Sequence, residues 1–162
     1  MPKLIYRVVS ACGALGYGYP RESLESALRG QVDAIICASV TGDTPFPATA
    51  VWVQRKLGLS CPAFDVNAAC AGFSYGLATA TAFVEAGMAD TVLLIGAETF
   101  SKILDFTDRS TCVLFGDGAG AVVMEPVQQG GFLGFELGAD GGGGIHLCYP
   151  GSGSRRFDDP DS

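Results

Sequence analysis

The chain has 162 residues, which is enough for one domain with a hydrophobic core of its own. Its formal charge of −7 is accompanied by no basic run, and a nucleic-acid-binding role normally requires a clustered basic patch. Hydrophobic residues make up 48% of the chain, yet no apolar stretch reaches the ~20 residues of a membrane helix. No clean signal-peptide cleavage site follows the N-terminus. We therefore expect a cytoplasmic, soluble protein that binds neither nucleic acid nor membrane.

The six cysteines form no CxxC pair, and the chain contains one histidine. A structural zinc site therefore lacks its usual ligand spacing, and no metal is expected. Several cysteines lie within apolar, strand-like runs. Such positions favour buried free thiols in a reducing compartment over a disulfide framework.

Apolar patterning and turn residues predict strands that alternate with helices through most of the chain. In chain order they are strand 4–9, helix 22–29, strand 33–38, helix 48–57, strand 63–66, helix 71–86, strand 91–95, strands 112–115 and 119–124, and strand 132–137. A Gly-Asp-Gly turn at 116–118 is expected to join the two strands on either side of it. Alternating strands and helices indicate an α/β fold, with a mostly parallel sheet and helices on both faces.

The pattern also suggests where the domain lies. Residues 1–20 stay unassigned as a segment, residues 21–140 carry the strand–helix pattern, and residues 141–162 are expected to form a Gly-rich loop and an acidic tail. The strand–helix pattern ends at residue 140, and no further strand or helix is predicted after it.

Cys70 lies where an apolar strand turns through small residues into an alanine-rich helix. A helix N-terminus favours negative charge, and the thiolate is the nucleophilic form of cysteine. Spacing alone leaves two interpretations open: a nucleophile, or a small buried hydrophobic side chain, as most free cysteines are.

Other candidate residues have simpler interpretations. Gly116–Gly120 lacks the Lys-Ser/Thr of a phosphate-binding loop and leads into a strand. His146 is the single candidate for a histidine base, but it lies in the Gly-rich loop. Arg109 suits a solvated loop, or a bidentate contact to a phosphate. Phe46 and Trp52 are more typical of a core or an interface than of a site.

Several linked motifs, in consistent order between residues 24 and 141, resemble the β-ketoacyl-acyl-carrier-protein synthase III family. They are Ala63-Phe64-Asp65-Val66-Asn67-Ala68-Ala69-Cys70-Ala71-Gly72-Phe73, Thr44-Pro45-Phe46-Pro47-Ala48, Gly96-Ala97-Glu98, Asp108-Arg109-Ser110-Thr111, Leu114-Phe115-Gly116-Asp117-Gly118-Ala119-Gly120-Ala121 and Ala139-Asp140-Gly141. The resemblance implies the thiolase-like layered fold, of which this chain would be one half.

The resemblance also implies a reaction and three site residues. Cys70 would be the catalytic nucleophile that takes an acyl group from acyl-CoA, and its own N–H would contribute to the oxyanion hole. The acyl-enzyme would then condense with malonyl-acyl carrier protein in fatty acid biosynthesis. Phe46 would reach across a homodimer to the partner's acyl pocket, and Arg109 would pack on the adenine end of CoA. Acyl-CoA is a substrate, and no cofactor is implied.

The chain departs from the family in three ways. Family members are about twice as long, and their catalytic histidine and asparagine belong to the second half. His146 does not lie in the family's histidine motif, so that role is not transferred to it. Residues 1–20 do not resemble the family's opening strand. The sequence therefore predicts an N-terminal, nucleophile-bearing half that needs a C-terminal half from elsewhere. The alternatives are a non-catalytic half-domain that assembles with a partner, and a related polyketide-starter acyltransferase.

Overall fold

The computed structural model describes residues 3–7, 32–128 and 130–149. Within these ranges the regular elements are five strands, two α-helices and three short 3-10 helices. The strands are β1 (Lys3–Arg7), β2 (Ala34–Ala38), β3 (Ala63–Val66), β4 (Val92–Thr99) and β5 (Asp117–Val127). The α-helices are α1 (Thr49–Leu57) and α2 (Gly72–Glu85), and the 3-10 helices are Ala69–Ala71, Phe100–Lys102 and Gly141–Ile145.

The five strands form one mixed sheet in the order β1-β5-β4-β2-β3. Strand β2 pairs in parallel with both β3 and β4, whereas β5 runs antiparallel to β4 and to β1. Four strands therefore share one direction, as the alternating pattern predicted, and β5 is the reversed one. As a result the C-terminal ends of β2, β3 and β4 meet the N-terminal end of β5 at one edge of the sheet.

Strand β2 lies at the centre of the core, and all five of its residues are buried. Because side chains alternate along a strand, Ile35 and Cys37 face one side of the sheet, and Ala34 and Ile36 face the other. Helix α1 contributes Ala50 to the first of these apolar clusters. Helix α2 packs on the second through side chains that include Ala80, Phe73 and Leu77. The prediction of helices on both faces is confirmed.

Helix α1 has a carboxylate from a neighbouring strand at its N-terminus. Its N-cap residue, Ala48, offers no side-chain acceptor. Instead, the Asp65 carboxylate accepts the N–H groups of Thr49 at 2.7 Å and Ala50 at 2.8 Å. A carboxylate there satisfies helix N–H groups and favours the positive end of the helix dipole. The helix ends at Gly58, whose φ of 68° is accessible to glycine at little cost.

Helix α2 approaches the sheet closely because glycines lie at its contacts. A Cβ on Gly72 would lie 3.3 Å from the Ala38 Cβ, and a Cβ on Gly76 would lie 2.6 Å from the Leu94 Cδ1. From the sheet side, a Cβ on Gly96 would lie 3.1 Å from the Phe73 ring. The absence of these side chains brings the start of α2 down onto the ends of β2 and β4.

The predicted strand at 112–115 is wrong, and so is the predicted turn at 116–118. Residues 111–114 form turns in which the Cys112 N–H donates to the Asp108 carbonyl at 3.0 Å. The Asp108 side chain also accepts the Ser110 N–H, and such local bonds compete with strand pairing. Strand β5 begins at Asp117 because β4 extends to Thr99 and pairs with it there, beyond the predicted end at 95.

Two further predictions near the C-terminus also differ from the structure. Residues 132–137 form no regular strand; they follow Gly130 and Gly131, both of which have positive φ angles. Phe132 packs instead against the α2 cluster and against the Phe135 ring. The predicted Gly-rich loop contains the 3-10 helix Gly141–Ile145, which the Asp140 side chain caps. The predicted helix at 22–29 lies outside the described residues.

No helix in the described part of the chain is both long enough and apolar enough to span a membrane.

Candidate active site

Cys70 lies in a tight turn between the end of β3 and the start of α2. Its side chain is exposed, and it occupies the middle of the 3-10 helix Ala69–Ala71. Ala69 has a φ of 45°, in the left-handed region that non-glycine residues adopt at a cost. The Asn67 side chain supports this conformation by accepting the Ala69 N–H at 3.3 Å. A strained strand-to-helix turn of this kind projects its central side chain away from the sheet.

The backbone at Cys70 offers a free hydrogen-bond donor. The N–H of Ala71 donates to the Ala68 carbonyl, and the N–H of Gly72 donates to the Ala69 carbonyl. Among the described residues, no carbonyl or side chain accepts the Cys70 N–H. Helix α2 also has no side-chain cap at its N-terminus. An N–H beside a thiol, at the positive end of a helix, can bind an oxyanion that forms on the thiol's target.

A pocket of about 350 Å³ opens at the same edge of the sheet. Its lining comes from the loop after β2, from the end of β4, from the start of β5 and from the first residue of α1: Ser39, Thr41, Gly42, Asp43, Thr49, Ala97, Glu98, Thr99, Asp117, Gly118 and Ala119. Cys70 is not part of this lining. A larger depression of about 590 Å³ lies at the opposite edge of the sheet. It is lined by Val32, Asp33 and residues 57–61, none of which is a predicted site residue.

Glu98 connects β4 to the segment that leaves β2. Its carboxylate accepts the N–H of Val40 at 3.0 Å and the N–H and hydroxyl of Thr41. The Thr41 hydroxyl oxygen in turn accepts the Thr99 N–H at 2.7 Å. The Thr99 hydroxyl donates back to the Thr41 carbonyl at 3.2 Å. The pocket wall is therefore a connected polar network.

Asp117 and Ser101 form a second polar pair at this edge. The Asp117 carboxylate accepts the Ser101 hydroxyl at 2.6 Å and the Ser101 N–H at 2.8 Å. These bonds, the hydroxyl first, lower the pKa of Asp117 below the ordinary aspartate value.

Removing the Ser101 hydroxyl is expected to raise the pKa of Asp117 back towards its ordinary value, because the strongest bond to its ionised form is lost. Carboxyl-carbon NMR titration of Ser101→Ala would measure this. Asp108 is an internal control, since its lowered pKa depends on Ser110 and Thr111 and should not move. An unchanged Asp117 titration would contradict the assignment.

Cys37 differs sharply from Cys70. It is fully buried in β2, and burial raises its pKa to about 12, with smaller contributions from the charges of Asp65 and Glu98. Burial also raises the pKa of Cys61. Neither side chain has the setting of a reactive thiol.

The other predicted site residues lie on exposed segments. Phe46 is 85% exposed, in the loop between β2 and α1. Arg109 is exposed in the turn after the 3-10 helix Phe100–Lys102, and His146 is exposed just after the helix Gly141–Ile145. Within residues 32–128 and 130–149, no hydrogen bond or ion pair connects Cys70 to any of the three. The described residues contain no cluster of three or more metal-ligating side chains.

The sequence alone did not single out Asp65 and Glu98 as the carboxylates whose hydrogen bonds hold the backbone at this edge of the sheet. A signal existed for each. Asp65 is a lone charge in an apolar strand, and Glu98 is a lone charge at the end of the apolar run 92–97. A charge in such a position is normally paired or hydrogen-bonded, as both of these are.

Comparison with known proteins identifies the class. Residues 64–141 match the family described as 3-Oxoacyl-[acyl-carrier-protein (ACP)] synthase III. A β-ketoacyl-[acyl-carrier-protein] synthase III of Desulfitobacterium hafniense is 54% identical over 126 residues, which cover 76% of this chain and 38% of that protein. A Neisseria meningitidis protein of the same name is 57% identical over 114 residues, covering 69% and 36%.

Solved structures with a similar fold belong to the same class of enzyme. The synthase III of Thermus thermophilus has a TM-score of 0.76 and 48% identity, over 85% of this chain and 44% of its own. The fold is thus that of the thiolase-like condensing enzymes. Within that class, the matched part of the chain is similar to the 3-oxoacyl-ACP synthase III family. The match spans somewhat over a third of the length of the curated relatives, 36% to 38%.

Proposed function

We propose that this chain carries the acyl-accepting nucleophile of a β-ketoacyl-ACP synthase III reaction in fatty acid biosynthesis, and that Cys70 is that nucleophile. The observation that carries the proposal is the geometry of the Cys70 turn: an exposed thiol, a strained residue before it, and a free N–H beside it. The names of the relatives supply the reaction class.

The first step is transfer of an acyl group from acyl-CoA to Cys70. The thiolate attacks the thioester carbonyl, and a bond forms between the Cys70 sulfur and the carbonyl carbon. The negative charge moves to the carbonyl oxygen, where the Cys70 N–H is available to stabilise it. A donor of this kind is typically worth about 10²–10³ in rate. The bond to the CoA sulfur then breaks, and CoA leaves as a thiolate that takes up a proton.

The second step is the condensation, which we propose for the whole enzyme. Malonyl-acyl carrier protein loses carbon dioxide, and the resulting carbanion attacks the Cys70 thioester. The Cys70 thiolate leaves, and a β-ketoacyl-acyl carrier protein is formed. His146 is assigned no part in this step. Splitting the reaction at a covalent intermediate replaces one difficult step by two easier ones.

Phe46 and Arg109 are proposed to bind substrate. Phe46 would line the acyl pocket of a partner subunit, and its 85% exposure leaves its ring available for such a contact. Arg109 would pack on the adenine end of CoA, and the turn that carries it is ordered by Asp105 and Asp108 through bonds to Thr107 and Ser110.

Incubation with acetyl-CoA is expected to add one acetyl group to the chain, measured by intact mass. The matched variants are Cys70→Ala, which should gain no acetyl group, and Cys37→Ala, which should still gain one because Cys37 is buried. We expect slow labelling of this chain alone. Apart from the Cys70 N–H, the described residues are assigned no group that assists the covalent step. Acetylation of Cys70→Ala at the same rate would contradict the proposal.

A related starter-unit acyltransferase is the second candidate. The priming β-ketosynthase of the R1128 polyketide pathway is 36% identical, with a TM-score of 0.58 over 61% of this chain. Competition between acetyl-CoA and longer acyl-CoA thioesters for Cys70 would separate the two candidates. Preference for the longer acyl groups would favour the starter enzyme.

Assembly with another surface is the third part of the proposal, and a homodimer is the form that we propose. Among the described residues, twelve large apolar side chains are exposed: Val40, Phe46, Met88, Phe106, Val113, Leu114, Leu133, Phe135, Leu137, Ile145, Leu147 and Tyr149. Large exposed apolar surface marks interaction sites. Light scattering should give a dimer mass, whereas a monomer that binds little hydrophobic dye would contradict assembly. A dimer without Cys70 labelling would favour a non-catalytic assembly module.

A further inference from the structure

The loop between β2 and α1, residues 39–48, is held at both of its ends by carboxylates from neighbouring strands. At its start, Glu98 of β4 accepts the Val40 N–H at 3.0 Å and the Thr41 N–H at 3.1 Å. Just beyond its end, Asp65 of β3 accepts the N–H groups of Thr49 and Ala50 at 2.7 and 2.8 Å. Each carboxylate therefore binds two successive backbone N–H groups.

The middle of this loop makes weaker contacts, one within the loop and two with residues outside it. The Thr44 hydroxyl donates to the Pro47 carbonyl at 3.0 Å, and the Trp52 indole N–H lies 3.5 Å from the Thr44 oxygen. Lys102 and Asp43 are paired at 3.1 Å but are largely exposed, so their pairing adds little. The strong, charge-assisted bonds are those of the two carboxylates.

Phe46 lies between the two held ends, with its side chain 85% exposed. An aromatic ring this exposed is not held in place by packing against the core, so its position depends on the backbone of its loop. That backbone depends in turn on Glu98 and Asp65.

We propose that Glu98 and Asp65 are positioning residues that hold the 39–48 loop in one conformation and thereby fix where Phe46 is presented. They need not touch substrate. The loop-holding role stands on the hydrogen bonds above, and only its consequence for acyl-chain choice rests on the proposed function.

The test compares three variants, Glu98→Gln, Asp65→Asn and Asp33→Asn. Asp33 is the matched control, because its carboxylate accepts two successive N–H groups, of Asp90 and Thr91, at the opposite edge of the sheet. An amide side chain keeps the shape but presents an NH₂ donor where one acceptor oxygen was. Losing a bond to a charged acceptor should speed local amide exchange by about tenfold to a hundredfold.

Hydrogen exchange measured by NMR gives the first result. Glu98→Gln should speed exchange at Val40 and Thr41, and Asp65→Asn at Thr49 and Ala50, whereas Leu94 in the buried sheet should keep its rate. Asp33→Asn should speed exchange only at Asp90 and Thr91, whose N–H groups the Asp33 carboxylate accepts. Loop amides that exchange at unchanged rates in Glu98→Gln would overturn the proposal, as would acceleration spread evenly over the sheet.

Two further readouts separate positioning from general stability. Trp52 is the single tryptophan and contacts the loop, so acrylamide quenching should rise in Glu98→Gln but not in Asp33→Asn. The ratio of hexanoyl to acetyl labelling on Cys70 should rise at least about threefold in Glu98→Gln, as a mobile Phe46 admits longer chains. Labelling with an unchanged ratio would overturn the link to acyl choice. Absence of labelling in the unsubstituted chain would contradict the proposed function, and the exchange rates would still decide the loop-holding role.

Discussion

Iodoacetamide at pH 8 is expected to alkylate Cys70 rapidly and to leave Cys37 almost unmodified in the folded protein. Cys70 is exposed, whereas Cys37 is fully buried and its pKa is raised to about 12. Since the thiolate is the reacting form, Cys37 is ionised in only about one molecule in 10⁴ at pH 8. Together with inaccessibility, this predicts a rate for Cys37 below about 10⁻³ of that for Cys70.

The controls for this experiment are within the chain. Exposed Cys148 should react, which shows that the reagent is active, and Cys37 should become reactive after unfolding in guanidinium. The rate at Cys37 should rise about tenfold per pH unit towards its pKa. Because burial favours the protonated thiol, its contribution to stability is complete below pH 9 and is lost as the pH rises towards 12. Comparable rates at Cys37 and Cys70 in the folded chain would contradict the placement of Cys37.

Replacing Gly76 by valine is expected to reduce the free energy of unfolding by about 1–3 kcal/mol or more, because the site is already full. A Cβ at this position would lie 2.6 Å from the Leu94 Cδ1. Leu94 is completely buried between the sheet and α2, so it cannot turn into solvent. Helix α2 would have to move away from β4, and the Cys70 turn at its start would move with it.

Ser74→Val provides the matched comparison in urea unfolding. Ser74 lies on the same helix but is exposed, so this variant carries the helix-propensity cost of valine without the steric clash. That cost is below about 0.7 kcal/mol. Equal midpoints for the two variants would contradict the close packing of α2 on β4.

Much of the fold could be predicted because its signals are local. Strand β2 is a continuous apolar run, as a strand buried on both faces requires, and α1 ends at a glycine with positive φ. The helix start after Cys70 follows from small residues and an alanine-rich repeat. In these places local preference and tertiary packing favour the same structure.

The errors fall where long-range pairing decides the structure. Residues 117 and 118 have the composition of a turn, yet Thr99 and Glu98 supply strand partners opposite them. The bonds from Glu98 to Val40 and from Asp65 to Thr49 join residues 58 and 16 positions apart. A lone charge in an apolar run shows that a partner is needed, but no local pattern reveals which amides supply it. The nucleophile role of Cys70 came from resemblance rather than from spacing, because its strained turn is visible only in the fold.

The most direct measurement of the central claim is the position of the acyl group after incubation with acetyl-CoA. Trypsin releases residues 57–102 as one peptide that carries both Cys61 and Cys70, so fragmentation within this peptide is needed to separate them. We predict a thioester on Cys70, with Cys61 unmodified and with hydroxylamine releasing the group. An acetyl group on any other residue, or a peptide that remains unmodified when a condensing partner is supplied, would contradict Cys70 as the nucleophile.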